Sequence, residues 1–530
     1  MVYYGVLSKG CQRCRQRKVK CDQERPECLK CKKSNTLCPG YRDLAEIMFR
    51  DESERIMQKA CQPEQTTTSV LGGRVTISPR SRKCSALGTD VDLFTAPIYA
   101  LSIFHPLSLP IDILGANFFF AKYAFNGPPF SSSFHDWVTQ SYLENGPNHV
   151  LRAVIEAVGM AAISNVSHAP HVASRSKKQY CKALTAMRQA LSEPVQALAD
   201  TTFLAAILLG LFETVNFEHG DRYHYWAAHV EGATTLLELR GPEQFNRERG
   251  GQLYLQIRSQ ILLACIQQHI AVPPTLVQAT YNFQTSAIRQ QWQHRHVASP
   301  GSICEISFRI VNLKAACEKG EVRDPQLICQ TALEIDSDLT DWQAGVPPHW
   351  RYATIDAPEP DPGTYFDAKS HVYPNLWVAE AWNNWRTLRI SVNQIILANG
   401  LHSNLPDTAQ NSAAISTIRQ CSAEICISAA SFTDSPSRST VLLPQVPVHS
   451  LTSFTGVISL IRPLHLLAME ELNARSVRAF AVEQLQRISA AVGIRLAGLL
   501  AETVSRSVNE APGDFEPVRS SGMIPLAPCC

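Results

Sequence analysis

The sequence predicts a small cysteine-rich module followed by a much larger all-α domain. Six of the 17 cysteines fall within residues 11–38, in a regular repeat. Beyond residue 110, apolar residues recur with the period of amphipathic helices, and no alternating strand pattern competes with it. Hydrophobic residues make up 45% of the chain and charged residues 18%, a composition that favours a folded body over a disordered one.

Length and charge divide the chain into unequal parts. At 530 residues it is too long for one core. Residues 1–40 hold ten Lys and Arg against three acids, a charge of +7, whereas the remainder carries −5. The start lacks the pattern of a signal peptide, and the longest apolar run, residues 203–212, is too short to cross a bilayer. We therefore expect an unsecreted, soluble protein without a membrane partner.

The clustered cysteines have the spacing of metal ligands. The pattern C-x2-C-x6-C occurs twice, 17 residues apart, at Cys11, Cys14 and Cys21 and again at Cys28, Cys31 and Cys38. A C-x2-C step lets two thiolates reach one ion, as tetrahedral zinc prefers. Intracellular reductants make a disulfide framework the weaker explanation. The eleven scattered cysteines are expected to be small buried hydrophobes or inert thiols.

Six thiolates fill two tetrahedral zinc sites only if two sulfurs bridge both ions. The symmetry of the repeat selects equivalent residues, one from each half, and Cys11 and Cys28 are the natural pair. Residues 1–40 would keep a charge of about +5 after binding two zinc ions through six thiolates. Zinc must also fold this small polar segment, to which it contributes roughly 10 kcal/mol or more.

Five cationic residues lie between the second and third cysteines or directly before the second cysteine. They are Arg13, Arg15, Arg17, Lys18 and Lys20. A short helix with five positive side chains can lie against the phosphates of double-stranded DNA while one or two of them reach base edges in the major groove. The alternatives are a solvated charged face and a nuclear-import signal.

The segment from Cys11 to Cys38 resembles the DNA-binding domain of fungal zinc binuclear cluster transcription factors. The resemblance implies six cysteine ligands, two zinc ions per chain, and bridging by Cys11 and Cys28. It also implies that Lys18 reads bases, that Pro26 shapes the loop between the halves, and that the DNA target contains CGG-like triplets. The same resemblance implies that the protein acts in the nucleus on genes transcribed by RNA polymerase II, and that it has an all-α regulatory domain.

The expected organisation has five parts. They are a zinc binuclear-cluster DNA-binding domain at 8–42, a short helix at 43–60, a flexible linker at 61–97, an all-helical regulatory domain at 98–505, and a tail at 506–530 expected to be disordered. The segment at 44–59 lacks two clean heptads, so monomer and homodimer both stay open. Acidic and aromatic residues at 514–516 could bind coactivators or the transcription machinery, and a solvated tail is the alternative.

Periodic apolar residues predict helices in the body. The sets are Leu151, Val154, Ile155 and Val158, then Tyr180, Leu184, Met187 and Leu191, and finally Val482, Leu485, Ile488, Val492 and Leu496. The run at 203–212 is apolar on all sides, as in a buried helix. Passages around Trp226, His229 and Arg240, and around Trp382 and Arg386, resemble motifs of the regulatory region, and we interpret them as packing residues.

No catalytic motif was found among the P-loop, nucleophile-elbow, zinc-protease and dinucleotide patterns, so the chain is not expected to be an enzyme. The sequence instead predicts a sequence-specific transcription factor. Because similar chains often lie beside biosynthetic genes, the resemblance also suggests control of secondary metabolism. The alternative is a zinc-cluster interaction protein that acts as a co-regulator without sequence-specific DNA binding.

Overall fold

The computed structural model describes two parts of the chain. In the amino-terminal module it describes residues 11–17, 19, 21–22, 28–34, 36 and 38–39. In the body it describes residues 109–123, 132–217, 223–296, 303–357, 363–400, 408–433 and 454–509. The predicted helix at 43–60, the linker at 61–97 and the acidic patch at 514–516 lie outside the described residues.

The described chain is mostly helical, which confirms the predicted fold class of a small module followed by an all-α body. The module contains α1 (Gln12–Gln16) and α2 (Leu29–Lys33). The body contains α3 (Ile111–Lys122), α4 (Ser132–Glu144), α5 (Val150–Ser167), α6 (Pro170–Ser192), α7 (Pro194–Ala197), α8 (Asp200–Val215), α9 (Tyr223–Arg240), α10 (Glu248–Gln268), α11 (Pro274–Gln284), α12 (Ala287–His294), α13 (Ile303–Glu318), α14 (Pro325–Ala344), α15 (Leu376–Gly400), α16 (Thr408–Ser428), α17 (Ala430–Thr433), α18 (Phe454–Met469), α19 (Arg475–Val492) and α20 (Arg495–Asn509).

Helix α5 lies in the core of the body, between α3, α6 and α8. Its periodic residues Leu151, Val154, Ile155 and Val158 are fully buried, as their spacing predicts. Length and composition would allow this helix to span a bilayer, but 72% of it is buried inside the body. Helix α8 contains the run at 203–212, which is buried almost all round as expected.

Helices α3 and α5 touch through two glycines. A Cβ atom built on Gly159 would lie 1.8 Å from the backbone oxygen of Gly115. Since no side chain fits at that distance, the crossing requires glycine at position 159.

The two ends of the body meet at the carboxyl end of α5. Asn165 donates from Nδ2 to the carbonyl oxygens of Val215, at 2.8 Å, and Gly493, at 2.7 Å. The hydroxyl of Tyr123 donates to the carbonyl oxygen of Val492 at 2.8 Å. Residues far apart in the sequence therefore close one shared core.

Two details differ from the sequence-based expectation. Strands β1 (Ala353–Asp356) and β2 (Lys369–Val372) form an antiparallel pair where no strand was expected, because four residues are too few to show alternation. The apolar pattern that was expected to continue to Leu496 is broken, since α19 ends at Val492 and Gly493 adopts a φ of 77°. That left-handed conformation favours glycine and closes the helix.

The polar residues of the two body motifs have packing partners, as interpreted from the sequence. His229 is buried, and its Nε2 lies 2.8 Å from the Tyr180 hydroxyl. Burial lowers the pKa of His229 to about 4, so this imidazole is neutral at physiological pH. Trp382 donates from Nε1 to the carbonyl oxygen of Trp350 at 2.8 Å.

Arginines of both motifs form ion pairs in the body. Arg240 is 2.6 Å from Asp200 and also donates to the carbonyl oxygen of Leu198. The buried guanidinium of Arg386 is 3.0 Å from Glu424. These contacts join consecutive helices, α8 with α9 and α15 with α16, and they give both arginines partners within the body.

Candidate metal centre and nucleic-acid interface

The six clustered cysteines form two overlapping four-sulfur groups. The first group contains Cys11, Cys14, Cys21 and Cys28, and the second contains Cys11, Cys28, Cys31 and Cys38. Within each group the sulfur atoms all lie within 4.8 Å of one another. The groups share two members, and these are the same two cysteines that the symmetry of the repeat selects as bridges.

The spacing between the sulfurs fits zinc. The Sγ atom of Cys11 is 3.7 Å from that of Cys28 and 3.8 Å from that of Cys31, and the Sγ atoms of Cys14 and Cys28 are 3.8 Å apart. A tetrahedron with about 2.3 Å from centre to corner, the zinc–sulfur distance, has edges of about 3.8 Å. Thiolate ligands also favour zinc over magnesium or calcium.

Each half of the repeat begins its short helix with a cysteine. The thiol of Cys28 caps α2 by accepting from the backbone N–H of Cys31 at 3.4 Å. The corresponding bond in the first half, from the N–H of Cys14 to the Sγ of Cys11, is 3.5 Å. Amides at the start of a helix have no partner inside it, so they can stabilise a thiolate here.

The two halves are also similar in their backbone hydrogen bonds. The N–H of Val19 donates to the carbonyl oxygen of Cys14 at 3.0 Å. Seventeen residues later, the N–H of Thr36 donates to the carbonyl oxygen of Cys31 at 3.2 Å. The sequence repeat is therefore a repeat of structure, with α1 and α2 in equivalent positions.

One stabilising contact in the module was not predicted. The carboxylate of Asp22 accepts from the N–H of Leu29 at 2.8 Å, at the first residue of α2. This contact joins the two halves across the loop. Seven residues separate the partners, and no local sequence pattern marks such a bond.

Burial and the neighbouring thiols raise the pKa of three of the clustered cysteines. Burial, followed by hydrogen bonds to the neighbouring thiols, raises the pKa of Cys14 to about 12. Burial also raises the pKa of Cys28 and of Cys31. Metal-free Cys14, Cys28 and Cys31 therefore keep their protons at neutral pH, and zinc must displace these protons when it binds.

The cations predicted to bind DNA are only partly described. Arg13 and Arg15 lie in α1, and the exposed Arg17 directly follows its last residue. The side chain of Arg15 lies outside the part of the chain that the structure describes, and so do the residues Lys18, Lys20 and Pro26. Helix α2 adds exposed cations of its own at Lys30, Lys32 and Lys33. The described surface of the module is therefore basic around both short helices.

Comparison with known proteins identifies both parts of the chain. Residues 9–46 match the fungal Zn(2)-Cys(6) binuclear cluster domain, and residues 118–349 match the fungal specific transcription factor domain. The chain belongs to the fungal zinc binuclear cluster family of transcription factors. The cluster domain binds two zinc ions, and the module brings its six cysteines together as that requires. Zinc-cluster transcription factors bind DNA.

Curated relatives match over short segments. White-opaque regulator 2 of Candida albicans is 45% identical over 38 residues, which are 7% of this chain and 8% of that protein. The transcriptional regulatory protein moc3 of Schizosaccharomyces pombe is 49% identical over 39 residues, again 7% and 8%. The aspercryptin biosynthesis cluster-specific transcription regulator atnN of Emericella nidulans is 28% identical over 101 residues, 19% of this chain and 16% of that protein.

The chain thus aligns with less than a fifth of the length of each of these relatives. No solved structure matches it.

Proposed function

We propose that this protein is a nuclear transcription factor that binds specific DNA sequences and regulates genes transcribed by RNA polymerase II. The observation that carries the proposal is the pair of four-sulfur groups, which fixes a short basic helix on a small rigid module. In this proposal the six clustered cysteines are the zinc ligands, and Cys11 and Cys28 bridge the two ions. The helical body then transmits or restrains the regulatory output.

The first half of the module is the better candidate for reading DNA. In the sequence repeat of 17 residues, Lys18 corresponds to Asn35 and Lys20 corresponds to Leu37. Only the first half therefore has lysines at both positions beyond its short helix. We propose that α1 enters the major groove, where a helix fits and base edges can be distinguished.

The proposed DNA-binding residues divide into two roles. Lys18 contacts base edges of a CGG-like triplet, and Arg13, Arg15, Arg17 and Lys20 contact phosphates. Each phosphate contact releases counterions, so four contacts predict that affinity falls roughly 150-fold between about 50 and 200 mM salt. The charge of the zinc-loaded module, about +5, supports this strong salt dependence.

The proposal is tested by selecting random DNA duplexes with the zinc-loaded full-length chain while counting zinc. We expect two zinc ions per chain and enrichment of CGG-like triplets, both lost when a chelator is added. The spacing and orientation of paired triplets report whether the chain binds as a monomer or a homodimer. Two zinc ions without an enriched sequence would favour the co-regulator alternative instead.

Two substitutions separate base reading from phosphate binding. Lys18→Ala should cost roughly 1 to 3 kcal/mol on the selected site and relax the preference within the triplet. Arg17→Ala should weaken binding to all duplexes alike and reduce the salt slope by about 1. Lys319→Ala, which removes an exposed lysine of the body, is the control and should change neither quantity. Equal effects of Lys18→Ala on every duplex would contradict its assignment.

We further propose that the genes under control belong to a secondary-metabolite cluster. The similarity to a regulator named for aspercryptin biosynthesis supports this choice. Deletion of the gene should change the transcripts of neighbouring biosynthetic genes first. If the transcripts that change first encode other functions, this part of the proposal is wrong, although the DNA-binding part stands.

A further inference from the structure

Helix α6 (Pro170–Ser192) concentrates positive charge on one part of the body. Its 23 residues include five Lys and Arg and no Asp or Glu, a combination that no other described helix of the body has. The chain after residue 40 carries a charge of −5, with 39 cations against 44 acids, so without α6 the same stretch would carry −10. The charge of this helix is therefore opposite to that of the rest of the chain after residue 40.

Two of these cations lie together on the exposed face of α6. Ser174, Lys178 and Lys182 follow one another at steps of four residues, so they share one face of the helix, and all three are exposed. The opposite side, with Tyr180 and Met187, packs into the core. The side chains of the two lysines form no ion pair or hydrogen bond within the described part of the chain.

One acid lies beside this face, and it is already paired. The carboxylate of Asp112, on α3, accepts two hydrogen bonds from the guanidinium of Arg175, at 2.7 and 3.0 Å. These bonds lower the pKa of Asp112, and the charge of Lys182 contributes to the same shift. Asp112 is thus ionised at neutral pH and balances one of the three cations Arg175, Lys178 and Lys182, which leaves two positive charges.

The chemistry of this face suits a nucleic acid better than a protein. Interfaces between proteins have an apolar and often aromatic centre, whereas interfaces between proteins and DNA are more polar and more positively charged. Among the described residues of α6, no large apolar side chain is exposed. The face instead presents ammonium groups and a hydroxyl, which are donors that proteins use on phosphate oxygens.

The spacing of the lysines also fits a DNA backbone. Lys178 and Lys182 are about one helical turn apart, or about 6 Å along the axis of α6. Successive phosphates of one strand are about 3.4 Å apart along the duplex axis, so the two lysines cover roughly two phosphate positions. Phosphates repeat regularly whatever the bases are, so such a contact requires no particular sequence.

We propose that the exposed face of α6, with Ser174, Lys178 and Lys182, binds the phosphate backbone of duplex DNA beside the site that the zinc module occupies. This inference rests on the proposed function, because the module brings DNA to the chain that contains α6. A second contact within one chain acts at a raised effective concentration, so even a weak phosphate contact adds to the overall affinity. The body then contributes to DNA binding without reading the bases.

The experiment compares two duplexes that carry the same selected site, using the zinc-loaded full-length chain. The short duplex contains the site alone, and the long duplex extends it on each side by about 20 base pairs, or about two helical turns. We expect tighter binding to the long duplex and a salt slope that is steeper by about 2, because two more phosphates are contacted. The advantage of the long duplex should thus fall roughly tenfold between about 50 and 200 mM salt.

A double substitution of the two lysines identifies the face. Lys178→Gln with Lys182→Gln should remove the extra salt slope and the advantage of the long duplex, while binding to the short duplex stays as in the parent. Lys319→Gln with Lys369→Gln, which removes two exposed lysines elsewhere in the body, is the matched control and should keep both. The same loss in both double variants would show a general effect of charge and overturn the proposal.

Other outcomes separate this inference from the proposed function. Selective binding to the short duplex, without any advantage of the long one, overturns the inference and leaves the proposed function intact. If neither duplex is bound selectively, both are wrong. If polyglutamate binds the parent but not the variant of Lys178 and Lys182, while the two duplexes are bound alike, the face binds an acidic polypeptide instead of DNA.

Discussion

A cysteine shared by two metal sites should behave differently from a cysteine that serves one site. Cys28 and Cys38 form a matched pair, because both lie in the second half of the module and only Cys28 belongs to both four-sulfur groups. We expect Cys28→Ala to lose both zinc ions, since each site then keeps only three thiolates. We expect Cys38→Ala to keep one ion, in the group of Cys11, Cys14, Cys21 and Cys28.

The size of the difference follows from the geometry of the shared sulfur. The sulfur of Cys28 belongs to both four-sulfur groups and lies 3.7 Å from that of Cys11, the other shared member, so it is a corner of both tetrahedra. A structural zinc site contributes roughly 10 to 16 kcal/mol to folding. Cys38→Ala should thus retain about one such contribution, whereas Cys28→Ala should retain neither and leave the module unfolded.

Native mass spectrometry of the full-length variants counts the bound zinc directly. Circular dichroism with and without chelator reports how much structure depends on it, and the helical body provides the constant background. The sharing of sulfurs would be refuted by two zinc ions on Cys28→Ala, or by the same zinc count for both variants.

Two further predictions concern the body. Arg240→Ala should lower the free energy of unfolding by about 1.5 to 3 kcal/mol, because it leaves the buried carboxylate of Asp200 with the more distant partner Arg247. Arg247→Ala, which removes a 59% exposed partner of the same carboxylate, should cost less than about 1 kcal/mol. Equal shifts of the denaturation midpoint would contradict the difference. Gly159→Ala should destabilise the body by about 1 to 3 kcal/mol or more, since its Cβ would overlap the Gly115 carbonyl. Thermal unfolding measures this loss. An unchanged midpoint would show that the crossing of α3 and α5 relaxes freely.

Patterns governed by local chemistry were predictable from the sequence. The ligand spacing of zinc is short, so the six cysteines are visible as a repeat, and the symmetry of that repeat also identifies Cys11 and Cys28 as the shared pair. Helical periodicity is equally local, and it places Leu151 and Val158 on the buried face of α5.

Contacts between distant segments were not predictable in the same way. The ion pair of Arg240 with Asp200 joins two helices, and neither residue carries a local signal of it. The cations Arg258, Lys314 and Arg462 come from three separate helices and line one small cavity only in the folded body. A single sequence shows the periodicity of apolar residues and the spacing of ligands, whereas contacts between distant residues depend on how the helices pack.

The hydrogen bonds that join the two ends of the body near the carboxyl end of α5 also affect how the chain folds during synthesis. Asn165 needs the carbonyl of Gly493, and Tyr123 needs that of Val492, so the ribosome must release nearly the whole chain before either bond can form. Until then α5, a helix apolar enough to cross a bilayer, lacks part of its covering. A nonsense mutation before residue 490 would therefore leave part of the apolar surface of α5 uncovered, which makes the truncated chain a substrate for chaperones and proteases.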